Sequence, residues 1–261
     1  MKIPCYHVDA FSSKVFGGNP AAVCLMESWP ANDVLLNIAA ENNLSETAFL
    51  VPKSKGCYDL RWFTPTVEVD LCGHATLASA FVIFSFIDST LSSVDFQTAS
   101  GVLSVTKSED LLSMNFPSRK PEPTHKSPII SQAIGAEPLE VLKSRDLLVV
   151  LKDEFIIRGL VPNYDKLKKI PDVFAVIVTA PGEKSDFVSR FFAPNAGIPE
   201  DPVTGSAHCT LIPYWAERLK KKHMHAFQLS KRGGELFCDY LGDRVRISGR
   251  AVLYAKGDLY L

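Results

Sequence analysis

The sequence predicts an α+β protein of two similar domains, each a curved, mainly antiparallel sheet or barrel around a central helix. The first observation behind this prediction is an internal repeat. Segments 30–33, 61–65, 73–75 and 96–97 recur at 162–165, 190–194, 205–207 and 227–228. Because these four matches are colinear and their spacing stays between 129 and 132 residues, they indicate two copies of one unit.

The second observation is a helix that is apolar on nearly every side, predicted over residues 75–87. Such a helix must be surrounded by protein. The rest of each unit reads as short strands rich in β-branched residues. A strongly curved sheet wrapped around the helix is therefore the economical arrangement.

The elements follow the same order in each copy: a strand, a helix, an apolar strand, an Arg-aromatic strand, a glycine turn opening a second helix, and closing strands. The first copy places them at 5–11, 34–41, 48–51, 61–65, 75–87 and 94–116. The second places them at 147–151, 165–169, 174–178, 190–194, from 207, and 226–247, with Pro213 expected to interrupt and kink its second helix.

Four prolines in segment 117–128 predict a linker between the copies. The predicted domains are therefore 1–116 and 118–251, with segment 252–261 considered as a strand that returns to the first domain. These lengths suit ordinary domains.

Composition excludes several classes of function. The net charge of −1 gives no field that would recruit nucleic acid or anionic lipid. The longest apolar stretch, 75–87, is shorter than the ~20 residues of a membrane span, and the N-terminus shows no signal-peptide pattern. Six scattered cysteines without a CxxC pair predict reduced thiols in a cytoplasmic protein, and no metal site.

Two glycine turns, Gly73-His74 and Gly205-Ser206, open the two central helices. Free backbone N–H groups and the positive end of the helix dipole make such turns potential anion sites. Facing turns across a pseudo-twofold axis would hold a small carboxylate-bearing substrate. Alternatively, both are only tight strand-to-helix turns.

Glu46 precedes a buried strand, so it is either a surface carboxylate or a general acid/base. Its approximate repeat partner is Asp172. Near the second turn, Asp201 could compensate the helix dipole, Ser206 could cap the helix, and His208 is expected to pack inside it. No metal-ligand spacing occurs among these groups.

Four segments together resemble the PhzF-like isomerase family: 9–11 with 18–23, 43–49, 70–76 and 201–208. The resemblance covers essentially the whole chain. It implies the diaminopimelate-epimerase-like fold, with a substrate site between the domains and no metal or cofactor. It further implies that relatives commonly form homodimers, which we expect here.

The resemblance also assigns roles to individual residues. It implies that Glu46 is the general acid/base that moves a proton within the substrate. His74, Asp201 and Ser206 would bind or polarise that substrate, beside the backbone of Gly73 and Gly205.

Two alternatives remain open within the same resemblance. Epimerases of this fold use one cysteine at the start of each central helix, and this chain has Cys72 at the first position but Thr204 at the second. A hydroxyl is too weak an acid to replace a thiol in two-base exchange. An epimerase would need Cys72 with another base; a catalytically silent interaction or regulatory protein is the other alternative.

Overall fold

The chain divides into two units in the computed structural model, which describes residues 2–261. The first unit comprises Met1–Asn115 with Ser248–Leu261, and the second comprises Phe116–Ile247. The domain limits expected from the repeat stay predictions. No helix among residues 2–261 is long and apolar enough to cross a membrane.

Within residues 2–261, the first unit has two α-helices and nine strands. Its strands are β1 Lys2–Ala10, β2 Asn19–Leu25, β3 Glu46–Ser54, β4 Cys57–Phe63, β5 Glu68–Val69, β6 Ser93–Thr98, β7 Gly101–Ser108, β8 Leu111–Pro117 (which reaches the unit boundary) and β18 Ala251–Tyr260. Its helices are α1 Asn32–Asn42 and α2 Gly73–Val82, the latter continued by a π-helical turn Ile83–Ile87.

The second unit has four helices and nine strands. Its strands are β9 Glu122–Pro123, β10 Glu140–Lys143, β11 Leu147–Val150, β12 Val176–Pro181, β13 Phe187–Ala193, β14 Ile198–Asp201, β15 His223–Gln228, β16 Gly234–Tyr240 and β17 Arg244–Gly249. Its helices are α3 Pro128–Ile134, α4 Glu154–Gly159, α5 Tyr164–Leu167 and α6 Gly205–Leu219.

Strand pairing repeats between the units. In the first, β1/β2 is antiparallel, β2/β3 parallel, β3/β4 antiparallel, β4/β6 parallel and β6/β7 antiparallel. In the second, β10/β11, β11/β12, β12/β13, β13/β15 and β15/β16 follow the same alternation. The position of β11 in this pattern matches β2. The expectation that strand 147–151 repeats strand 5–11 was therefore wrong, because β2 was not recognised as a strand.

Helix α2 forms the core of the first unit. Every residue from His74 to Val82 is buried except Phe81, which is partly exposed. The helix contacts β1, β2, β3 and β18. The prediction that this apolar helix is enclosed by protein is confirmed as far as Phe84, since apolar area on all its sides is removed from water. It was wrong for residues 85–87, which are exposed.

Two predictions about helix α6 of the second unit were wrong: the interruption at Pro213 and the cap at Ser206. Pro213 lies inside α6, which runs on without interruption from Gly205 to Leu219. Thr204 is the residue before the helix, and no side chain caps it, so Ser206 is not a cap. His208 is fully buried and its Nδ1 lies 2.8 Å from the carbonyl oxygen of Thr204, as expected for a packed histidine.

An arginine–glutamate pair recurs at the same place in both units. On β4, Arg61 contacts Glu68 through Nε–Oε1 and Nη2–Oε2, each at 2.7 Å. On β13, Arg190 contacts Glu200 at 2.7 and 2.9 Å. The second pair is less exposed: its side chains are 11% and 18% accessible, against 24% and 40% for the first.

Candidate functional site

Three elements of the first unit begin at one place and position the candidate site. Strand β3 starts at Glu46, which pairs with Ala21 on β2. Strand β2 starts at Asn19, and helix α2 starts at Gly73. Polar side chains at the first residues of these three elements therefore lie close together. Because the site is buried, their interactions are strong.

Gly18 makes this convergence possible. It has φ +64°, and a Cβ there would lie 2.1 Å from the carbonyl oxygen of Ala10. Only glycine fits such a close approach in the left-handed region. The turn it forms lets β2 start beside β1 with Asn19 pointing to His74.

His74 lies at the centre of the site. Its Nε2 is 3.1 Å from Oε2 of Glu46. On the other edge of the ring, Nδ1 is 3.2 Å from Nδ2 of Asn19 and 3.5 Å from Sγ of Cys72. The Glu46 and His74 side chains are only 12% and 7% exposed. A carboxylate, an imidazole, an amide and a thiol thus share one nearly dry site.

Glu46 and His74 form a buried ion pair, with 3.1 Å between Oε2 and Nε2. Neither atom makes a hydrogen bond to any other group among residues 2–261. Two such atoms facing one another are suited to a ligand or a transferred proton that satisfies both.

The surroundings of His74 favour the protonated form of its imidazole. Burial by itself would lower the pKa of His74, but its contacts with Cys72 and with the Glu46 carboxylate oppose this and raise the pKa well above its ordinary value. Burial, reinforced by the Glu46 charge, raises the pKa of Cys72. Cys72 is therefore a neutral thiol near pH 7, and the Glu46 carboxylate is the charge that keeps His74 protonated. When both ring nitrogens carry protons, Asn19 must turn its amide oxygen toward Nδ1.

Among residues 2–261, Glu46, Cys72 and His74 form a group that could hold a metal ion. One donor atom each from Glu46, Cys72 and His74 lies within 4.8 Å of the others. A tetrahedral zinc site needs donors about 3.3–3.7 Å apart, from bonds of about 2.0–2.3 Å. The donors would have to approach one another and Cys72 would have to ionise. No metal is needed for the chemistry proposed below.

The candidate residues of the second unit form their own network at the start of α6. The Thr204 hydroxyl donates to Oδ2 of Asp201. Gln228, fully buried, accepts from the Thr204 backbone N–H at 2.8 Å and donates to the carbonyl oxygen of Asp201 at 2.7 Å. Gly205 is buried and Ser206 is partly exposed. The Thr204 hydroxyl is thus a donor to a carboxylate, which does not suit it to act as a base.

Sequence reasoning missed two residues of these networks. Asn19 lay within the 18–23 motif, and Gln228 within the repeated pair 227–228, but neither was assigned a role. The available signal for Gln228 was that the Phe-Gln pair recurs at 96–97 and 227–228. Asp172, the approximate repeat partner of Glu46, is exposed in a turn at φ 56°.

The raised pKa of His74 predicts a pH dependence of stability. The unfolded pKa is ~6.5 and the folded pKa is higher, so the stabilisation is fully present below pH ~6.5. It is lost as the pH rises through the folded value. We expect the free energy of unfolding, measured by urea denaturation, to fall above pH ~6.5, and His74→Gln to flatten this slope.

His208 provides a control of opposite sign. Burial lowers its pKa to about 4. Its contribution is therefore lost as the pH falls below ~6.5, where the unfolded imidazole binds a proton. Parallel curves for the wild type and His74→Gln above neutral pH would contradict the assignment of the raised pKa to His74.

The chain matches the family described as "Phenazine biosynthesis-like protein" over residues 8–257. It is 51% identical to an uncharacterized isomerase of Pseudomonas aeruginosa, with both chains covered completely. It is 42% identical to the human phenazine biosynthesis-like domain-containing protein, over 99% of each.

Solved structures agree along the whole chain. A phenazine biosynthesis protein of the PhzF family from Enterococcus faecalis superposes with a TM-score of 0.98 at 49% identity, covering 100% of both chains. A hydroxyproline epimerase from Agrobacterium vitis has a TM-score of 0.61 at 10% identity, covering 99% of this chain and 92% of its own. This second likeness concerns the fold alone.

These similarities confirm the predicted α+β, epimerase-like fold. Relatives of about half-identical sequence, matched from end to end, are named isomerases. The chain therefore belongs to the phenazine biosynthesis-like PhzF family and is an isomerase.

Proposed function

We propose that this isomerase moves a proton within a small carboxylate-bearing substrate by general acid/base catalysis at Glu46, without a metal or cofactor. The observation that carries the proposal is the pair of facing atoms, Glu46 Oε2 and His74 Nε2. They are buried, form an ion pair at 3.1 Å and have no other hydrogen-bond partner among residues 2–261.

The chemistry needs one base that also acts as an acid. The Glu46 carboxylate removes a proton from one carbon of the substrate, and the resulting carboxylic acid returns it to another carbon. This proton transfer balances without an oxidant or a reductant. His74, protonated through its raised pKa, can donate a hydrogen bond to an oxygen on which negative charge develops, which is where electrostatic stabilisation acts most strongly.

The proposed substrate class follows from the helix start beside this pair. Helix α2 begins at Gly73, so its first backbone N–H groups lack partners within the helix and favour an anion. That Asp201, Gly205 and Ser206 bind the same substrate remains a proposal from the sequence. So does a homodimer, which sedimentation equilibrium would test.

A cysteine-based epimerase is the second candidate, because Cys72 Sγ lies 3.5 Å from His74 Nδ1. Two observations weigh against it. Burial raises the pKa of Cys72, and Thr204, at the corresponding place before α6, is hydrogen-bonded to Asp201. We therefore expect Cys72→Ser to keep at least about a tenth of wild-type turnover, whereas losing a catalytic thiol would cost about 10²-fold or more.

The function is tested by solvent-deuterium incorporation. Small unsaturated carboxylates and α-amino acids are incubated with the protein in D₂O, with and without a chelator, and followed by NMR. Deuterium should enter a carbon position with wild type and Cys72→Ser, and chelation should not change the rate. Exchange lost in Cys72→Ser but kept in Glu46→Gln would establish the epimerase instead, and neither exchange nor conversion of any compound would favour a silent member of the family.

A further inference from the structure

Two cysteines outside the candidate site face each other across adjacent strands. Cys5 on β1 is the direct antiparallel partner of Cys24 on β2. The Cys24 thiol donates to the Cys5 sulfur, with the two sulfur atoms 3.6 Å apart. Both cysteines are free. Directly opposed residues of an antiparallel pair have Cβ atoms about 4.5–5.5 Å apart, and a disulfide needs about 3.5–4.5 Å. A small approach of the strands would allow the bond.

The environment of Cys5 favours its thiolate. His7, two residues further on the same face of β1, interacts with the Cys5 thiol and with Asn42, and both interactions favour its imidazolium. Asp9 follows on that face and adds negative charge near the imidazole. A thiolate is the reactive form of cysteine, and an adjacent imidazolium stabilises it.

The thiols of Cys5 and Cys24 have pKa values shifted in opposite directions. The hydrogen bond from Cys24, against the effect of burial and with help from His7, lowers the pKa of Cys5 to about 6. The same hydrogen bond and burial raise the pKa of Cys24 well above its ordinary value. Elsewhere, burial raises the pKa of Cys209 to about 11 and raises that of Cys238. Cys5 is suited to attack, and Cys24 to follow as the second thiol.

We propose that Cys5 and Cys24 form a reversible redox pair, which a peroxide converts to a cross-strand disulfide. The Cys5 thiolate attacks one peroxide oxygen, the O–O bond breaks, and the leaving hydroxide or alkoxide takes a proton from His7. Cys5 is then a sulfenic acid. The Cys24 sulfur attacks Cys5 and the S–S bond forms. The hydroxide that leaves takes the Cys24 proton and departs as water.

The electron balance of this reaction is closed. Two thiols lose two electrons, and hydrogen peroxide is reduced to two water molecules. A dithiol reverses the bond by thiol–disulfide exchange. Cys5 is 5% exposed and His7 is partly exposed, so the imidazole marks the side from which a molecule as small as hydrogen peroxide would reach the sulfur. Transient disulfides of this kind occur in reducing compartments.

Peptide mapping after peroxide treatment tests the pair. The fully reduced protein is treated with one equivalent of hydrogen peroxide at neutral pH, alkylated and digested with trypsin without reductant. Cleavage after Lys2, Lys14 and Lys53 places Cys5 in peptide 3–14 and Cys24 in peptide 15–53. We expect these two peptides to be joined, two of the six thiols to disappear, and dithiothreitol to restore both.

Variants separate the roles of the two thiols and the imidazole. Cys24→Ser should stop at the sulfenic acid, so that dimedone labels Cys5. His7→Asn should slow oxidation at pH ~7 about tenfold, because less thiolate is present, and the rate should recover toward the wild-type value as the pH is raised. A purely structural role of His7 would not give this recovery. Cys57→Ser is the matched control, since Cys57 is more exposed and its loss should leave the 3–14 to 15–53 cross-link unchanged.

If exposure alone set the order of oxidation, Cys57 would react before Cys5. Oxidation of Cys57 before Cys5, or a wild-type protein whose peptides 3–14 and 15–53 stay separate while peroxide is consumed, would overturn the proposal. If Cys24→Ser fails to fold, the rate at which wild-type Cys5 reacts with iodoacetamide, measured as a function of pH, tests whether Cys5 is a thiolate. A rate that levels off near pH ~7 supports the thiolate, and a rate as slow as that of Cys238 refutes it. None of these measurements depends on isomerase activity.

Discussion

Glu46→Gln is expected to lower turnover by about 10²–10⁴-fold, because it removes the proposed base and keeps the shape of the side chain. Solvent-deuterium incorporation into a substrate that the wild type exchanges measures this loss. Folding should be nearly unaffected, since a neutral amide at a position that is 12% exposed still fits. Circular dichroism and thermal unfolding check that assumption.

The same variant has a second readout that needs no substrate. The Glu46 carboxylate helps to raise the pKa of His74, so in Glu46→Gln the imidazole should titrate at lower pH by NMR. Ser206→Ala is the milder control, because it removes at most one hydrogen bond to substrate, worth about 0.5–1.5 kcal/mol if neutral. Wild-type turnover in Glu46→Gln, with the His74 titration shifted as expected, would show that the carboxylate charges the histidine without moving the proton.

Arg190→Met is expected to lower the free energy of unfolding of the second unit by about 3–5 kcal/mol. The guanidinium contacts Glu200 through two atoms, and its Nη1 donates to the carbonyl oxygens of Ile157 and Leu160 at 3.2 and 2.8 Å. It also stacks over the Phe192 ring at 5.0 Å. Removing it leaves the largely buried Glu200 charge and two carbonyl groups without this partner. Urea denaturation, fitted separately for each transition, measures the change.

The repeat provides a matched control for this prediction. Arg61→Met breaks the equivalent pair, but Glu68 is 40% exposed, so we expect a loss of about 1 kcal/mol or less. The double variant Arg190→Met with Glu200→Leu should regain much of the lost stability, because a well-packed apolar pair can replace a buried ion pair. Equal losses in Arg61→Met and Arg190→Met would contradict the assignment to burial.

Much of the fold could be predicted because it depends on patterns that the chain carries locally. Colinear repeats, an all-apolar helix and glycine turns at Gly73 and Gly205 are visible in the residues themselves. Strand β2, Asn19–Leu25, was missed because it lies after a turn whose geometry depends on Gly18 and the Ala10 carbonyl. The continuity of α6 was also missed, because local rules disfavour Pro213 while tertiary packing around a buried helix can outweigh them.

The candidate site, like the fold, could be predicted only in part. Motifs in the sequence pointed to Glu46, Gly73 and His74, and resemblance suggested their roles. Motifs could not show that His74 contacts Asn19, because that contact joins residues 55 positions apart. The acidity of each group was equally out of reach, since burial and neighbouring charge set it.

The sequence by itself determined the duplication, the α+β class and the family, because these follow from periodicity and from residues that recur at fixed spacing. Only the tertiary structure decided which polar groups are buried together. It places Glu46 Oε2 against His74 Nε2, and the Cys5 sulfur against Cys24. The physical reason is that strand pairing and the packing of α2 against the strands set these distances. The charge and reactivity of such groups depend on those distances and on the exclusion of water.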